Sequence, residues 1–268
     1  MKKFSDIVKF GSSFRAAQVE EKAFSPSSVC ASPKGRTLLF VSDIHLCPMF
    51  PHASLERLLE QIASLRPDMI LLGGDYAESA AWQADFFRML SDIPAPLGKY
   101  GVIGNNDSEC FPDNLCPLFE MAANFGVTLL NNRTARIEAD GCSIAIAGLS
   151  DFEYGTPNER ALFLGRDEGA LRILLAHYPQ SIAHYLAQGH PFAPHLAMSG
   201  HTHGGQFSLL GLTPYSVGFE WRLKGIRLPA VSGWHNLDGT QLLVSPGIGT
   251  SRLPFRVGVS PAIHRIFL

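Results

Sequence analysis

The sequence predicts an α/β fold with mixed sheets, because short apolar runs alternate with helical patterns from residue 37 onward and tight-turn dipeptides join some of these runs. Apolar strands that cross over through helices indicate sheets covered on both faces, whereas tight turns indicate antiparallel neighbours. The 268 residues are 46% hydrophobic and 17% charged, which is enough apolar material for one sizeable core. We therefore predict one domain over residues 37–268, preceded by an extension, residues 1–36, with an edge strand at 15–24.

Each element has its own local signal. The signals predict, in chain order, a loop at 25–35, strand 37–42, a helix from an N-cap at Ser54 to a stop at Pro67, strand 69–74, a helix around 82–90, strand 100–104, a helix at 118–125 and strand 127–130. Turn signals at Asn131-Asn132 and Asp140-Gly141 flank the antiparallel strands 134–139 and 142–148. The remaining predicted elements are strand 171–176, a helix at 179–188, and strands 196–199, 241–245 and 262–268.

Composition and charge exclude several classes of protein. The formal net charge is −2 and the isoelectric point is about 6.5, so the chain lacks the broad basic surface of a nucleic-acid binder. Its 5 cysteines are odd in number and form no C-x-x-C pair, which argues against a disulfide framework and a thiolate zinc site. No segment has the apolar length of a signal peptide core or a membrane span. We expect a cytoplasmic protein with reduced thiols, and peripheral contact with a membrane stays open.

Polar residues follow the carboxyl ends of several predicted strands. The stretches are FVSDIH, ILLGGD, VIGNND, ILLAH and AMSGHTH, which place Asp43, His45, Asp75, Asn105, Asn106, Asp107, His177, His201 and His203 at strand ends. In open α/β sheets, ligands bind outside the carboxyl ends of the strands. Carboxylates, a carboxamide and imidazoles without a thiolate suit divalent ions such as Mn, Fe or Zn. Gly74, Gly104 and Gly200 come just before three of these residues and permit close approach of the backbone.

These motifs occur in a recognisable order. D-x-H, G-D, G-N-x-D, a lone His after a strand and G-H-x-H, spread over residues 43–203, resemble the signature of the calcineurin-like metallophosphoesterases. Any one motif is weak, but the whole series, each member closing an apolar strand, is specific. GHTHGGQF and the tail SPGIGTSRLPFRVGVSPAI resemble the bacterial branch that contains membrane-associated phosphodiesterases and a UDP-2,3-diacylglucosamine hydrolase.

The resemblance implies a four-layer α-β-β-α sandwich with two divalent metal ions at one edge of the sheets, Mn first and Fe or Zn as alternatives. Carried over residue by residue, it assigns Asp43, His45 and His203 to one ion, Asn105, His177 and His201 to the other, and Asp75 to both. The implied reaction is hydrolysis of a phosphoester bond by a hydroxide that bridges the metals. The substrate would be a small phosphorylated molecule, lipid-linked or nucleotide-linked.

One position departs from the commonest family motif, G-N-H-D or G-N-H-E, in which the His protonates the leaving oxygen. Asn106 stands there, and a carboxamide cannot act as a general acid, although it can orient a substrate. The departure favours substrates with a good leaving group, such as an aryl, nucleoside or pyrophosphate ester, over simple alkyl monoesters. The expected reaction is therefore hydrolysis of a phosphodiester or pyrophosphate bond. Arg252 and Arg256 are candidates to face a phosphate, and the loop at 151–154 is expected near the edge of the site.

Two other functions remain open on the sequence alone. One is a phosphomonoesterase of low activity, and the other is a non-catalytic module that uses the metal site as an interaction surface. Every ligand position of the motif series holds a residue that can bind a metal, and a site under no catalytic demand is expected to lose some of them. This completeness favours an enzyme.

Overall fold

The fold is known from a computed structural model, which describes residues 8–10, 14, 16–25, 33–155, 162–209, 212–215 and 222–268. The strands are β1 Val8–Phe10, β2 Gln18–Ala23, β3 Thr37–Val41, β4 Met69–Leu72, β5 Lys99–Gly101, β6 Val127–Leu129, β7 Arg133–Ala139, β8 Cys142–Gly148, β9 Leu171–Leu175, β10 Leu196–Ser199, β11 Arg222–Leu223, β12 Ile226–Arg227, β13 Gly233–Leu237, β14 Thr240–Val244, β15 Phe255–Val257 and β16 Ala262–Phe267. The helices are α1 His52–Ser64, α2 Ala80–Ser91, α3 Asn105–Glu109, α4 Cys116–Asn124 and α5 Pro179–Ala187. Single 3₁₀ turns occur at Gly165–Asp167 and His203–Gly205.

Two six-stranded sheets carry the fold. The first has the order β2-β16-β3-β4-β5-β6, in which β3 to β6 are parallel and β16 runs antiparallel to β3. The second has the order β13-β14-β10-β9-β8-β7, in which β14, β10, β9 and β8 are parallel and two hairpins supply the edge strands β13 and β7. Both sheets are mixed, and this confirms the predicted α/β class.

Side chains that point alternately to the two faces of each sheet give the fold its four layers. In β3, Leu38 and Phe40 pack between the sheets against β8 residues such as Ile146, whereas Leu39 faces a core shared with α1 and α2. Side chains on the outer face of the second sheet pack against α5, as Ala147 does. Because successive strand residues point to opposite faces, buried strands of this kind need a covering layer on each side. The result is the predicted α-β-β-α sandwich.

The amino-terminal part of the described chain joins the first sheet. β2 is its edge strand and runs parallel to β16, and Phe14 lies in the core beneath α1. Gln61 of α1 donates from Nε2 to the carbonyl oxygen of Ala17 at 2.8 Å and accepts from its backbone N–H at 2.9 Å. Residues 26–32 of the predicted loop lie outside the described residues. The division of the chain at residue 37 stays a prediction.

The predicted N-cap of the first helix was wrong. α1 begins at His52, after an extended Pro51, and Ser54 is buried inside the helix. The carbonyl oxygen of Pro51 accepts the backbone N–H groups of Ser54 and Leu55 at 2.8 and 3.2 Å. A proline has a fixed φ compatible with entry into a helix, so Pro51 starts the helix without a side-chain cap.

No helix within the described ranges combines the length and apolarity needed to cross a membrane. The cysteines at 47, 110, 116 and 142 are free thiols, and Cys30 lies outside the described residues.

Candidate metal centre

Sharp backbone turns follow the strands that meet at one edge of the two sheets. Asp43, His45, Asp75, His201 and His203 all have positive φ angles, between 49° and 68°. Such a conformation costs a residue with a Cβ roughly 1 to 2 kcal/mol and persists only where surrounding contacts enforce it. Each turn swings a polar side chain inward from a strand end, and strain of this kind is common at functional sites.

Gly104, which precedes Asn105, and Gly200, which precedes His201, are required by close packing. A Cβ added to Gly104 would collide with the Asp75 carboxylate, and one added to Gly200 would collide with the Asp43 carboxylate. The backbone N–H of His201 donates to Oδ1 of Asp43 at 2.9 Å, which joins the carboxyl end of β3 to that of β10. Strand ends from different sheets are therefore in direct contact at this edge.

The side chains form two groups, each with ligand atoms within 4.8 Å of one another. The first group is Asp43, His45 and His203, and the second group is Asp75, His177 and His201. In the first group, Nε2 of His45 lies 3.2 Å from Nε2 of His203. In the second group, Nδ1 of His201 lies 3.1 Å from Nε2 of His177. Nitrogen atoms this close face a common point in each group.

Asp75 stands between the two groups. Its Oδ2 atom lies 3.4 Å from Nε2 of His45 in the first group and 3.3 Å from Nε2 of His177 in the second. Its Oδ1 atom accepts the backbone N–H of Asn106 at 3.0 Å. One oxygen therefore faces both groups while the other fixes the carboxylate to the start of α3.

Charge in this cluster is balanced internally. Burial works to raise the pKa of Asp75, but the His177 ring outweighs it and holds the pKa below its ordinary value. Burial also disfavours the charged form of His177, yet Asp75 outweighs it and raises the pKa of His177 to about 10. Buried carboxylates thus hold a proton on a neighbouring imidazole, a position that a divalent cation can take over.

The Nδ1 atoms of two imidazoles, those of His45 and His177, lie within hydrogen-bonding distance of an oxygen atom. His45 Nδ1 lies 2.6 Å from Oε1 of Glu78, and His177 Nδ1 lies 2.8 Å from the carbonyl oxygen of Gly73. An imidazole that donates through Nδ1 offers its Nε2 lone pair on the other side, and metal-binding histidines are commonly oriented in this way. Both Nε2 atoms point to Asp75, so the donor set of oxygen and nitrogen atoms fits divalent ions.

Two asparagines at the start of α3 lie beside the groups. Asn105 Oδ1 accepts from the hydroxyl of Tyr178 at 3.1 Å, and the Tyr178 ring packs on His201 with centroids 3.8 Å apart. Asn106 Nδ2 lies 2.9 Å from His45 Nδ1 and donates to Oε1 of Glu78 at 3.1 Å. Asn105 is thus adjacent to the second group and Asn106 to the first.

Sequence reasoning missed two supporting residues, Glu78 and Tyr178, and it did not predict the supporting roles of Asp107 and Arg256. Asp107 belongs to the G-N-x-D motif, but its role was not predicted: its carboxylate accepts the backbone N–H groups of Asp75, Tyr76 and Gly104 at 2.7 to 2.9 Å. Glu78 follows Asp75 by three positions and has no periodic signal.

The two candidate arginines have different surroundings. Arg256 is 1% exposed and donates to the carbonyl oxygens of Gly249 and His203 at 2.6 and 3.2 Å. It therefore connects the turn at Gly249 to the backbone of His203, a member of the first group. Arg252 is exposed and lines a cavity of about 620 Å³ together with Asn105 and Asn106. Its guanidinium forms no hydrogen bond or ion pair with any other described residue.

The loop predicted near the edge of the site has two kinds of aromatic residue. Phe152 is buried and packs against Tyr178 and His184, with centroids 6.4 and 6.0 Å apart. Tyr154 is 57% exposed, and its hydroxyl donates to Oε1 of Glu109 at 2.7 Å. Only Tyr154 of this pair is available to a ligand.

Comparisons with known proteins show the family. The family model described as "Calcineurin-like phosphoesterase" matches residues 36–205. The Bacillus subtilis (strain 168) protein "Uncharacterized protein YpbG" is 29% identical over 235 residues, which are 87% of this chain and 80% of the relative. "Uncharacterized metallophosphoesterase YkuE" of the same organism is 27% identical over 232 residues, 85% of this chain and 77% of the relative.

Other similar proteins are longer or more distant. "Transmembrane protein with metallophosphoesterase domain" of Danio rerio is 29% identical over 250 residues, which are 88% of this chain but only 54% of the relative. The solved structure titled "Phosphopantetheinyl Hydrolase (PptH) from Mycobacterium tuberculosis" is 15% identical with a TM-score of 0.43, covering 80% of this chain and 89% of that one. The cytoplasmic location expected from the sequence remains a prediction.

Proposed function

The chain belongs to the calcineurin-like phosphoesterase family, and from that premise we propose that it hydrolyses phosphodiesters or pyrophosphates in preference to simple alkyl monoesters. Metal-dependent phosphoester hydrolysis follows from the family together with two groups of buried ligand atoms. The preference for a good leaving group is a narrower proposal than metal-dependent hydrolysis. It is carried by one observation, the carboxamide of Asn106 beside His45 and Glu78.

Our assignment of roles follows the two groups. We assign Asp43, His45 and His203 to one divalent ion, Asn105, His177 and His201 to the other, and Asp75 to both, with Mn as the first metal to test. When bound, two such ions lower the pKa of a water molecule toward ~7 and take up charge on phosphoryl oxygens. Glu78 and the Gly73 carbonyl oxygen hold His45 and His177 in the orientation that binding requires.

Asn106 and Arg252 define the substrate side of this proposal. Both line the cavity of about 620 Å³ beside Asn105, which we call the mouth cavity, and an exposed guanidinium there suits a phosphate oxygen by paired hydrogen bonds. Asn106 cannot donate a full proton, so the leaving oxygen must depart without general acid assistance from this position. Because such assistance is worth ~10² to 10⁴-fold, an aryl, nucleoside or phosphoryl leaving group is favoured over an alkoxide.

The direct test compares bis(4-nitrophenyl) phosphate with an alkyl monoester, using protein reconstituted with Mn. We expect kcat/KM for the aryl diester to exceed that for the alkyl monoester. A preference for the alkyl monoester would contradict the proposal, and no metal-dependent hydrolysis of either would favour a non-catalytic role. UDP-diacylglucosamine and cyclic nucleotides in the same panel extend the test to lipid-linked and nucleotide-linked substrates.

A sharper test restores the residue that is usual in the family, Asn106→His. The new imidazole has an ordinary pKa of about 6.5, and bound cations would lower that pKa, so added acid catalysis is expected mainly below neutral pH. We expect kcat to rise for the alkyl ester and to change little for the aryl ester between about pH 5.5 and about pH 9. Asn106→Ala is the matched control, because it removes the amide contacts without adding a proton donor. An equal effect on both substrates would mean that position 106 acts by orientation.

A further inference from the structure

One buried tyrosine contacts three of the side chains that we assign to the ion of the second group, which we call the second ion. Tyr178 is fully buried and directly follows His177 in the chain. Its ring packs on His201 with centroids 3.8 Å apart and meets the His177 ring edge-on at 5.2 Å. Its hydroxyl oxygen lies 3.1 Å from Oδ1 of Asn105. A side chain in contact with several ligands of one ion can orient all of them.

The backbone of Tyr178 is fixed by the start of α5. Tyr178 is the N-cap of this helix and is extended, with φ −87° and ψ 130°. Its carbonyl oxygen accepts the backbone N–H of Ser181 at 3.1 Å, and Pro179 follows as the first helical residue. Because proline constrains φ at this position, the connection from strand to helix is rigid. Local structure therefore determines where the Tyr178 hydroxyl lies.

Asn105 needs an oriented partner because the two ends of its carboxamide differ. Only the oxygen can bind a cation, whereas the NH₂ group is a donor and would repel one. The two ends are similar in size, so packing distinguishes them poorly and hydrogen bonds must do so. Oδ1 accepts from the Tyr178 hydroxyl, and Nδ2 donates to Oδ1 of Asn106 at 2.9 Å. A carbonyl oxygen has two lone pairs, so one remains for a metal ion.

The orientation of Asn106 agrees with that of Asn105. Nδ2 of Asn106 donates to Oε1 of Glu78 at 3.1 Å, so the carbonyl end of Asn106 is turned toward Asn105. The amide end of Asn105 is thus held on one side, and Tyr178 holds the oxygen on the other side. Removing the Tyr178 hydroxyl would leave Asn105 held at its amide end alone.

A second acceptor faces the same hydroxyl. Oε2 of Glu153 lies 2.7 Å from the Tyr178 hydroxyl oxygen, which is closer than Oδ1 of Asn105. A phenol has one proton, and an ionised carboxylate accepts a stronger hydrogen bond than a carboxamide does. Glu153 and Asn105 therefore compete for this proton.

We propose that Tyr178 is a positioning residue for the second ion, because its hydroxyl keeps Oδ1 of Asn105 available to that ion while Glu153 competes for the same proton. This inference rests on the assignment of Asn105 to the second ion in the proposed function. Metal binding tests it without any need for hydrolysis.

Tyr178→Phe removes the hydroxyl and keeps the ring that contacts His177 and His201. Calorimetric titration of the metal-free protein with Mn measures both binding steps. Loss of a residue that supports a metal ligand typically weakens binding by about 10- to 100-fold. We therefore expect the second step to weaken by about tenfold or more and the first step to change by less than about twofold. Loss of neither step would overturn the proposal.

Tyr185→Phe is the matched control for this titration. Tyr185 is also a buried tyrosine and lies on α5, and its hydroxyl accepts the backbone N–H of Leu162 at 3.0 Å. We expect both Mn steps of Tyr185→Phe to match wild type. A weaker second step in Tyr185→Phe, as large as that in Tyr178→Phe, would show a general effect of destabilisation and would overturn the proposal.

The sharpest test changes the carboxamide itself. Asn105→Asp has two equivalent oxygens, so the side chain can bind a cation whichever way it is turned. In this background, Tyr178→Phe should change the second Mn step by less than about twofold, because no amide orientation has to be maintained. A purely structural effect of the missing hydroxyl would persist in Asn105→Asp. Equal losses in the two backgrounds would therefore overturn the proposal.

Glu153→Gln tests the competition for the proton and remains informative if Tyr178→Phe does not fold. A neutral amide is a weaker acceptor, so the Tyr178 proton is left to Asn105. Glu153 is exposed, and solvent and salt screen the effect of its charge on the ions. We expect the second Mn step to be as tight as in wild type or tighter. A loss of about tenfold or more would show that the carboxylate supports the ion, against the role given to the hydroxyl.

The two proposals fail in different ways. If the aryl diester is not preferred but the Mn titrations follow the expected pattern, the proposed substrate preference fails and the role of Tyr178 is supported. If the aryl diester is preferred but Tyr178→Phe binds both ions as wild type does, the role of Tyr178 fails alone. If Asn105→Ala binds both ions as tightly as wild type, Asn105 is not a ligand and the role of Tyr178 fails with that assignment.

Discussion

At the scale of single residues, the two carboxylate oxygens of Asp75 have different partners. Oδ1 is held by the backbone N–H of Asn106, and Oδ2 faces the Nε2 atoms of His45 and His177. A shared carboxylate reduces repulsion between two dications at close range, and no other side chain of the two groups lies between them in this way. Loss of this side chain should therefore affect both groups.

Asp75→Ala tests the bridging assignment. We expect it to lower metal occupancy more than His177→Ala, because it removes a ligand from each ion while the histidine serves one. Elemental analysis after dialysis against metal-free buffer measures the occupancy of both variants beside wild type. Two tightly bound metals per chain in Asp75→Ala would remove Asp75 from the bridging role.

The proton on His177 gives a pH dependence with a definite sign. Its pKa rises from 6.5 to about 10, because Asp75 outweighs the effect of burial. In the metal-free protein this shift contributes stability that is present below about pH 6.5 and is lost as pH rises toward about 10. Coordination requires the neutral ring, so metal binding must release this proton at neutral pH.

We therefore expect the affinity for Mn to increase from about pH 6 to about pH 9, with proton release that calorimetry detects as a dependence on buffer ionisation enthalpy. His177→Ala should release fewer protons per metal bound. Affinity that stays constant over this range would show that the ring is already neutral in the metal-free protein.

At the scale of secondary structure, α3 is hydrogen-bonded to the carboxyl ends of β4 and β5. Asp107 accepts backbone N–H groups from Asp75, Tyr76 and Gly104, and also the side-chain amide of Gln83 at 3.0 Å. The short helix α3 is thereby tied to the ends of β4 and β5 and to α2. The turn that presents Asp75 depends on these hydrogen bonds.

Asp107→Ala should lower the free energy of unfolding by at least about 3 kcal/mol, because it leaves several buried donors without acceptors. Ser108→Ala is the matched control: its hydroxyl donates once to the carbonyl oxygen of Gly104 at 3.1 Å, and we expect a loss of about 1 kcal/mol. Urea unfolding followed by circular dichroism measures both variants in the absence of metal. Equal losses would contradict the role given to Asp107.

At the scale of the whole molecule, both groups join the two sheets. Asp43 and His45 follow β3 of the first sheet, whereas His203 follows β10 of the second. The second group likewise combines Asp75 after β4 with His177 and His201 after β9 and β10. Because the ligands come from both sheets, a bound metal ion would act as a cross-link between the sheets. Metal binding should therefore raise the free energy of unfolding of the whole protein.

We expect saturating Mn to raise the midpoint of thermal unfolding relative to protein treated with EDTA. A metal present at 100 times its Kd adds about 2.7 kcal/mol to the free energy of unfolding. Asp75→Ala should show a much smaller shift, whereas Asp238→Asn, a change of one charge in the exposed β13–β14 turn, should match wild type. Differential scanning calorimetry gives both values, and an equal midpoint with and without metal in the wild type would contradict the cross-link.

The sequence by itself determined the α/β class, the mixed sheets and the positions of polar residues at strand ends, because these depend on local periodicity and on which residue follows an apolar run. The same local reasoning failed at Ser54, where Pro51 begins the helix instead. It also did not separate Arg252 from Arg256, although one is exposed at the mouth and the other is buried behind His203.

Only the tertiary structure decided which atoms face each other within the candidate site. Tyr178 reaches Asn105 across 73 positions, and Arg256 reaches His203 across 53. Such contacts arise from the packing of two sheets against each other, and no sequence period reports them, because a side chain's partner is set by the distance between strand ends in space rather than along the chain.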